Sequence, residues 1–148
     1  MFKIVLLLVD STEASTSAAE CAISIAKACN AELTALSVVD TATLRQLLTD
    51  KIMVAEEMEE YERELELSGR RQLAFVQELG RKAGIEIKPA HGKGAIHSVV
   101  LVHQENTKTD LIVLSAFRPS QVNRDLLAKE KHIILDEATC AVMVVKKC

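Results

Sequence analysis

The chain has 148 residues, 49% of them apolar, enough for one domain with a buried core and too few for two. Eighteen basic against 21 acidic residues leave a formal charge of -3, without the positive field a nucleic-acid binder uses to neutralise phosphates. No apolar run approaches the roughly 20 residues that span a bilayer, so a cytoplasmic domain over residues 1–148, without nucleic-acid or membrane partners, is expected.

The opening MFKIVLLLVD could pass for a leader, but Asp10 breaks the apolar run and no small-residue cleavage site follows. Residues 3–9 read as a buried strand. After it, Ser11 or Thr12 is expected to cap a helix over 12–29, with Glu13 at its positive end. The small residues Ala18 and Ala22, with Ile25 and Cys29, are expected to face a sheet, and Asn30 suits the left-handed residue that closes a helix.

ELTALSVV, 32–39, reads as a second buried strand. The segment 42–83 carries Met58, Tyr61, Leu65, Leu73, Val76 and Leu79 at helical spacing, and 41–52 is expected to form a separate short helix before a new cap at Thr49 and Asp50. The outer side of the long helix holds Glu56, Glu57, Glu59, Glu60, Glu62, Glu64 and Glu66, with Glu59–Arg63 and Glu66–Arg70 at the supporting i,i+4 spacing. Such a face is either a solvated surface or an acidic docking face for a protein partner.

IEIKPA, 85–90, alternates and contains Pro89, as an edge strand can. HGKG, 91–94, reads as a tight turn opening a helix over 95–107. DLIVLS, 110–115, and CAVMVVK, 140–146, are two more apolar strands, separated by a helix expected over 128–138. Unbroken apolar runs mean burial on both faces, and strands alternating with helices mean a doubly wound parallel sheet. Ligands of such sheets lie beyond the carboxyl ends of the strands. That rule singles out Asp10–Ser11 and the stretch SAFRPSQVNRDLLAK, 115–129.

This stretch has the place of a phosphate loop but no glycine. Glycine serves such loops by reaching positive φ and by letting backbone amides approach the anion. A side chain held in the left-handed region costs about 1–2 kcal/mol per residue, and Pro119 contributes no N–H. Against this, Arg118, Arg124 and Lys129 put cations in or beside the loop, and Lys129 near a helix start invites an anion.

Cys21, Cys29, Cys140 and Cys148 lack metal-ligand spacing and read as free thiols, Cys148 being the one expected to oxidise. His97 and His103 fall on different helix faces, so no metal site is expected. Acids do not cluster as in a phosphoryl-accepting receiver domain. Neither a Ser-His-Asp set nor a G-x-S-x-G elbow can be placed, and no catalytic residue is named.

At KIVLLLVDSTEAS, AELTALSVVD, DLIVLS and ATCAVMVVKK the chain resembles the universal stress protein family over essentially its whole length. The resemblance implies an adenine nucleotide alpha hydrolase-like α/β fold, a single doubly wound five-stranded parallel sheet in the order 3-2-1-4-5 with helices on both faces. It implies a homodimer, often paired through the last strand, and a cytoplasmic role in stress. Nucleotide-binding members carry G-x2-G-x9-G-[ST] in the loop, which falls without a gap on Ser115, Arg118, Ala128 and Lys129, all four changed. Their base contacts fall on Asp10 and Val38. Three readings follow: a non-enzymatic stress or regulatory protein that acts as a dimer on partners without bound ATP, a module that still takes ATP, AMP or phosphate through Arg118 and Lys129, or a slow ATPase.

Overall fold

The computed structural model describes residues 1–116 and 122–147, the stretch 122–126 by its backbone alone. Arg118, the Arg124 side chain and Cys148, singled out above, lie outside it.

Five strands, β1 (Ile4–Val9), β2 (Glu32–Asp40), β3 (Ile87–Gly94), β4 (Leu111–Ser115) and β5 (Ala141–Val145), make one sheet in the order β3-β2-β1-β4-β5, with every pairing parallel. The order is the one the resemblance implies. Helices α1 (Ser15–Cys29), α2 (Thr41–Thr49), α3 (Ala55–Lys82), α4 (Ile96–Thr107) and α5 (Val122–Glu137) connect the strands. The apolar run of β1 divides by the two-residue period of a strand. Val5, Leu7 and Val9 pack with α1 and α3, whereas Leu6 and Leu8 pack with α4 and α5. Both faces are covered, which is why the run needs no polar interruption. Asp110 accepts the Lys3 and Ile4 backbone N–H groups at 2.9 and 3.1 Å, pinning the start of β1 beside β4.

Several boundaries depart from the sequence expectation, each for a local reason. Helix α1 begins at Ser15, after Ala14, because the Asp10 carboxylate takes the Thr12 N–H and hydroxyl at 3.0 and 2.6 Å. Neither Ser11 nor Thr12 caps the helix, and no acid lies in its first turn. Its buried stripe is Ala18, Ala19, Ala22, Ile23 and Ala26, rotated from the expected one, so Ile25 and Cys29 are only partly covered. Asn30 closes it at φ 53° as expected.

Helices α2 and α3 are separate, but Asp50 ends the first and does not start the second, which follows Val54. Only the later half of α3 is buried, through Gly69, Leu73, Val76 and Gly80, while Tyr61 is exposed. A Cβ on Gly69 would lie 2.4 Å from Ser37 Oγ, so this helix rests almost directly on β2. Glu66 pairs with Lys93 of β3, not with Arg70, and no Glu59–Arg63 ion pair forms among the described residues. The Lys93 contact holds the Glu66 carboxyl below its ordinary value and raises the Lys93 ammonium.

HGKG is strand, not turn. Residues 91–94 continue β3 beside Ser37–Asp40, and α4 starts only at Ile96. A Cβ on Gly92 would come 2.3 Å from Val99 Cγ1, so this glycine admits α4 against the sheet, and Gly94 at φ 135° turns the chain into the helix. Helix α5 begins at Val122, well before the expected 128. No described helix is long and apolar enough to cross a membrane.

Valine is stiff at χ1 and cannot swing clear of a new methyl. Gly92→Ala is expected to cost about 1–3 kcal/mol by overpacking, read as a lower midpoint in a thermal melt. Adding Val99→Ala should recover part of the loss, and full stability of Gly92→Ala alone would refute the packing role.

Candidate functional site

Strands β1 and β4 are neighbours, so their carboxyl ends bring Asp10 and Ser115 together. The Ser115 hydroxyl donates to the Asp10 carboxylate at 2.9 and 3.1 Å, and the Thr12 hydroxyl lies 2.8 Å from Ser115 Oγ. Into this cluster α5 sends Lys131. Its ammonium lies 2.9 Å from Asp10 Oδ2 and donates to the Ser115 carbonyl at 2.8 Å and hydroxyl at 2.9 Å. The Lys131 side chain is 0% exposed and that of Asp10 12%. An ammonium withdrawn from water is tolerable only with a counter-ion and further acceptors, and all three are here.

The neighbouring residue fixes the helix that carries Lys131. Glu130 Oε2 accepts the His97 backbone N–H at 2.7 Å and lies 2.5 Å from His97 Nδ1. One carboxylate therefore ties α5 to the first turn of α4, where amides lack intrahelical partners. The Glu130–His97 contact and the Lys131–Asp10 ion pair come from adjacent residues and point to different elements.

Above the cluster opens a cavity of 340 Å³, within the range of small-molecule sites. Asp10 and Val38 both line it, with Leu44, Tyr61, Ile96 and Leu127 among its apolar walls. Asp40 is its second carboxylate, already engaged as the cap of α2 through the Thr43 N–H at 3.0 Å and hydroxyl at 2.6 Å. Among the described residues, no lysine or arginine lines this cavity.

The positions drawn from the resemblance thus divide. Asp10, Val38 and Ser115 gather at one end of the sheet, and Asp10 is a partner of Lys131, Ser115 and Thr12, not the cap of α1. Ala128 is buried and Lys129 exposed, both inside α5. The helix opens at Val122, so Lys129 stands beyond its first turn and its link to a positive helix end does not hold. Arg118 is outside the described residues.

Lys131 is not among the cations the sequence singles out, which are Arg118, Arg124 and Lys129. A signal was present. Ala128, Lys131 and Ile134 recur every three residues and are all buried, so a lysine interrupts an apolar stripe.

A serine 2.9 Å from a lysine invites comparison with a serine–lysine nucleophile pair. The partners point elsewhere. Ser115 is fully buried and donates to a carboxylate, and the Lys131 ammonium donates to Asp10 and the Ser115 carbonyl. In this arrangement the ammonium is spent on Asp10, the Ser115 carbonyl and the Ser115 hydroxyl, and it holds charge in place. His97 is directed to Glu130, and burial pulls the His103 imidazole below its ordinary value. Among the described residues, no three His, Cys, Asp or Glu side chains gather to hold a metal.

A family model described as "Universal stress protein family" matches residues 1–146. The chain belongs to the universal stress protein family. It is 28% identical to universal stress protein MJ0531 of Methanocaldococcus jannaschii, over 99% of this chain and 84% of that one. Its fold superposes on the solved structure of hypothetical protein MJ0577 with a TM-score of 0.77 at 18% identity, covering 100% and 98% of the two chains. A universal stress protein solved in complex with cAMP gives 0.70 at 18% identity, over 99% and 98%.

Removing one partner of a buried pair strands the other's charge, at about 3–5 kcal/mol. Lys131→Met and Asp10→Asn should each lower the unfolding free energy by about that much, and the double variant by clearly less than the sum. Urea unfolding of the four proteins measures this, and strictly additive losses would show the pair to be uncoupled.

Proposed function

We propose that this universal stress protein is non-catalytic and does not bind ATP, and that it acts as a dimer through contacts with other proteins. The observation that carries this reading is the Lys131–Asp10 pair. The carboxylate at the end of β1 already accepts from Lys131, Ser115 and Thr12, so a base's amino group would have to displace an internal donor. The glycine-free loop adds support: with Ser115, Arg118, Ala128 and Lys129 in place of the family's glycines and hydroxyl residue, a triphosphate has lost the backbone cradle that binding members use. The exposed carboxylates of α3, among them Glu57, Glu60 and Glu64, offer an acidic face to a partner.

A second reading is favoured by the 340 Å³ cavity itself, which still presents Asp10 and Val38, and by the cAMP complex of a related fold. In that case ATP or AMP enters above the ion pair, with Arg118 and Lys129 left to meet its phosphates.

Thermal melts with ATP, ADP, AMP and phosphate, with and without magnesium, separate the two. A ligand at a hundred times its dissociation constant adds about 2.7 kcal/mol, several degrees for a domain of this size. The expected result is no shift and no ADP released. A shift that Arg118→Ala abolishes would establish the second reading instead.

The dimer rests on β5. This strand lies at the sheet edge, and its Val142, Met143, Val144 and Val145 are exposed or only partly covered. An apolar edge with unpaired amides invites another chain. Sedimentation at micromolar concentration should show a dimer that Val144→Lys weakens, whereas a monomer at that concentration would refute the assignment.

A further inference from the structure

We propose that Lys131 is the specificity-determining residue of the cleft, an internal donor that withholds Asp10 from a ligand's amino group. This rests on the reading that adenylate binding is lost and names the group that closes the site. The 340 Å³ cavity is walled largely by apolar side chains, and its strongest acceptors are two carboxylates. Asp40 is committed to the first turn of α2. Asp10 accepts from Thr12 and Ser115, and its one charged donor among the described residues is Lys131, which reaches Oδ2 at 2.9 Å with its whole side chain out of solvent.

A donor tethered to the chain competes with a dissolved one at high effective concentration, and here it also carries a full charge toward a carboxylate. The native cleft therefore rejects ligands whose recognition depends on an amino group. Once Lys131 is replaced by an apolar side chain of similar length, Asp10 keeps Thr12 and Ser115 but loses its counter-ion and the donor on Oδ2, at the edge of a space large enough to hold a new one.

The probes are adenosine and purine riboside, which differ by the 6-amino group and carry no phosphate, so the loop 115–129 is not at issue. By calorimetry on the full chain, the native protein should show no preference between them. Lys131→Met should bind adenosine at least tenfold more tightly than purine riboside. A folded Lys131→Met without that preference overturns the proposal, as does a native protein that already has it. A lysine needed only for folding would create no such selectivity.

Should Lys131→Met fail to fold, the native protein decides. Its Lys131 Nζ resonance is expected to stay fixed as adenosine is added, and displacement of that resonance would show that the pair yields to ligand. The proposed function fails separately, through an ATP shift in the native melts, which can occur whatever adenosine does.

Discussion

The placement of one ammonium constrains everything at the carboxyl end of the sheet. Lys131 can be withdrawn from water only because Asp10, the Ser115 hydroxyl and the Ser115 carbonyl converge on it, and they converge only because β1 and β4 are neighbours. Their adjacency in turn depends on the parallel order, with α1 and α3 over one face and α4 and α5 over the other. Glu130 then sets the height of α5 against α4 through His97. The ion pair is thus a consequence of the fold and also a restraint on it: a one-turn slip of α5 would carry the ammonium about 5 Å from its acceptors.

The architecture was legible because its causes are local and repetitive. Runs such as IVLLLV and LIVLS state burial on both faces, and Asn30 marks a helix end through its left-handed backbone. What escaped depended on a side chain from elsewhere in the chain. Thr12 looked like a helix cap until Asp10 proved to hold it. HGKG reads as a turn from its own residues, whereas Gly92 serves the approach of Val99 from another element. The role of Lys131 is not written in its neighbours, since nothing beside it names a carboxylate 121 positions away.

The site shows the same division. Composition and strand ends located it, and the family resemblance brought Asp10, Val38 and Ser115 to one place. Whether such a constellation binds, catalyses or merely stabilises turns on which acceptors remain unspent. At this sheet end the strongest is engaged by the chain's own lysine, and the second caps a helix. In the proposed function the site keeps its shape while its recognition groups turn inward, and the surface, an apolar edge at β5 and an acidic helix, carries the contacts.

A crystal structure grown with saturating ATP and magnesium tests this most directly. The account predicts Lys131 Nζ within hydrogen-bonding distance of Asp10, and a cleft without adenylate. Adenylate in the cleft, with its base on Asp10 and the lysine turned aside, would contradict it.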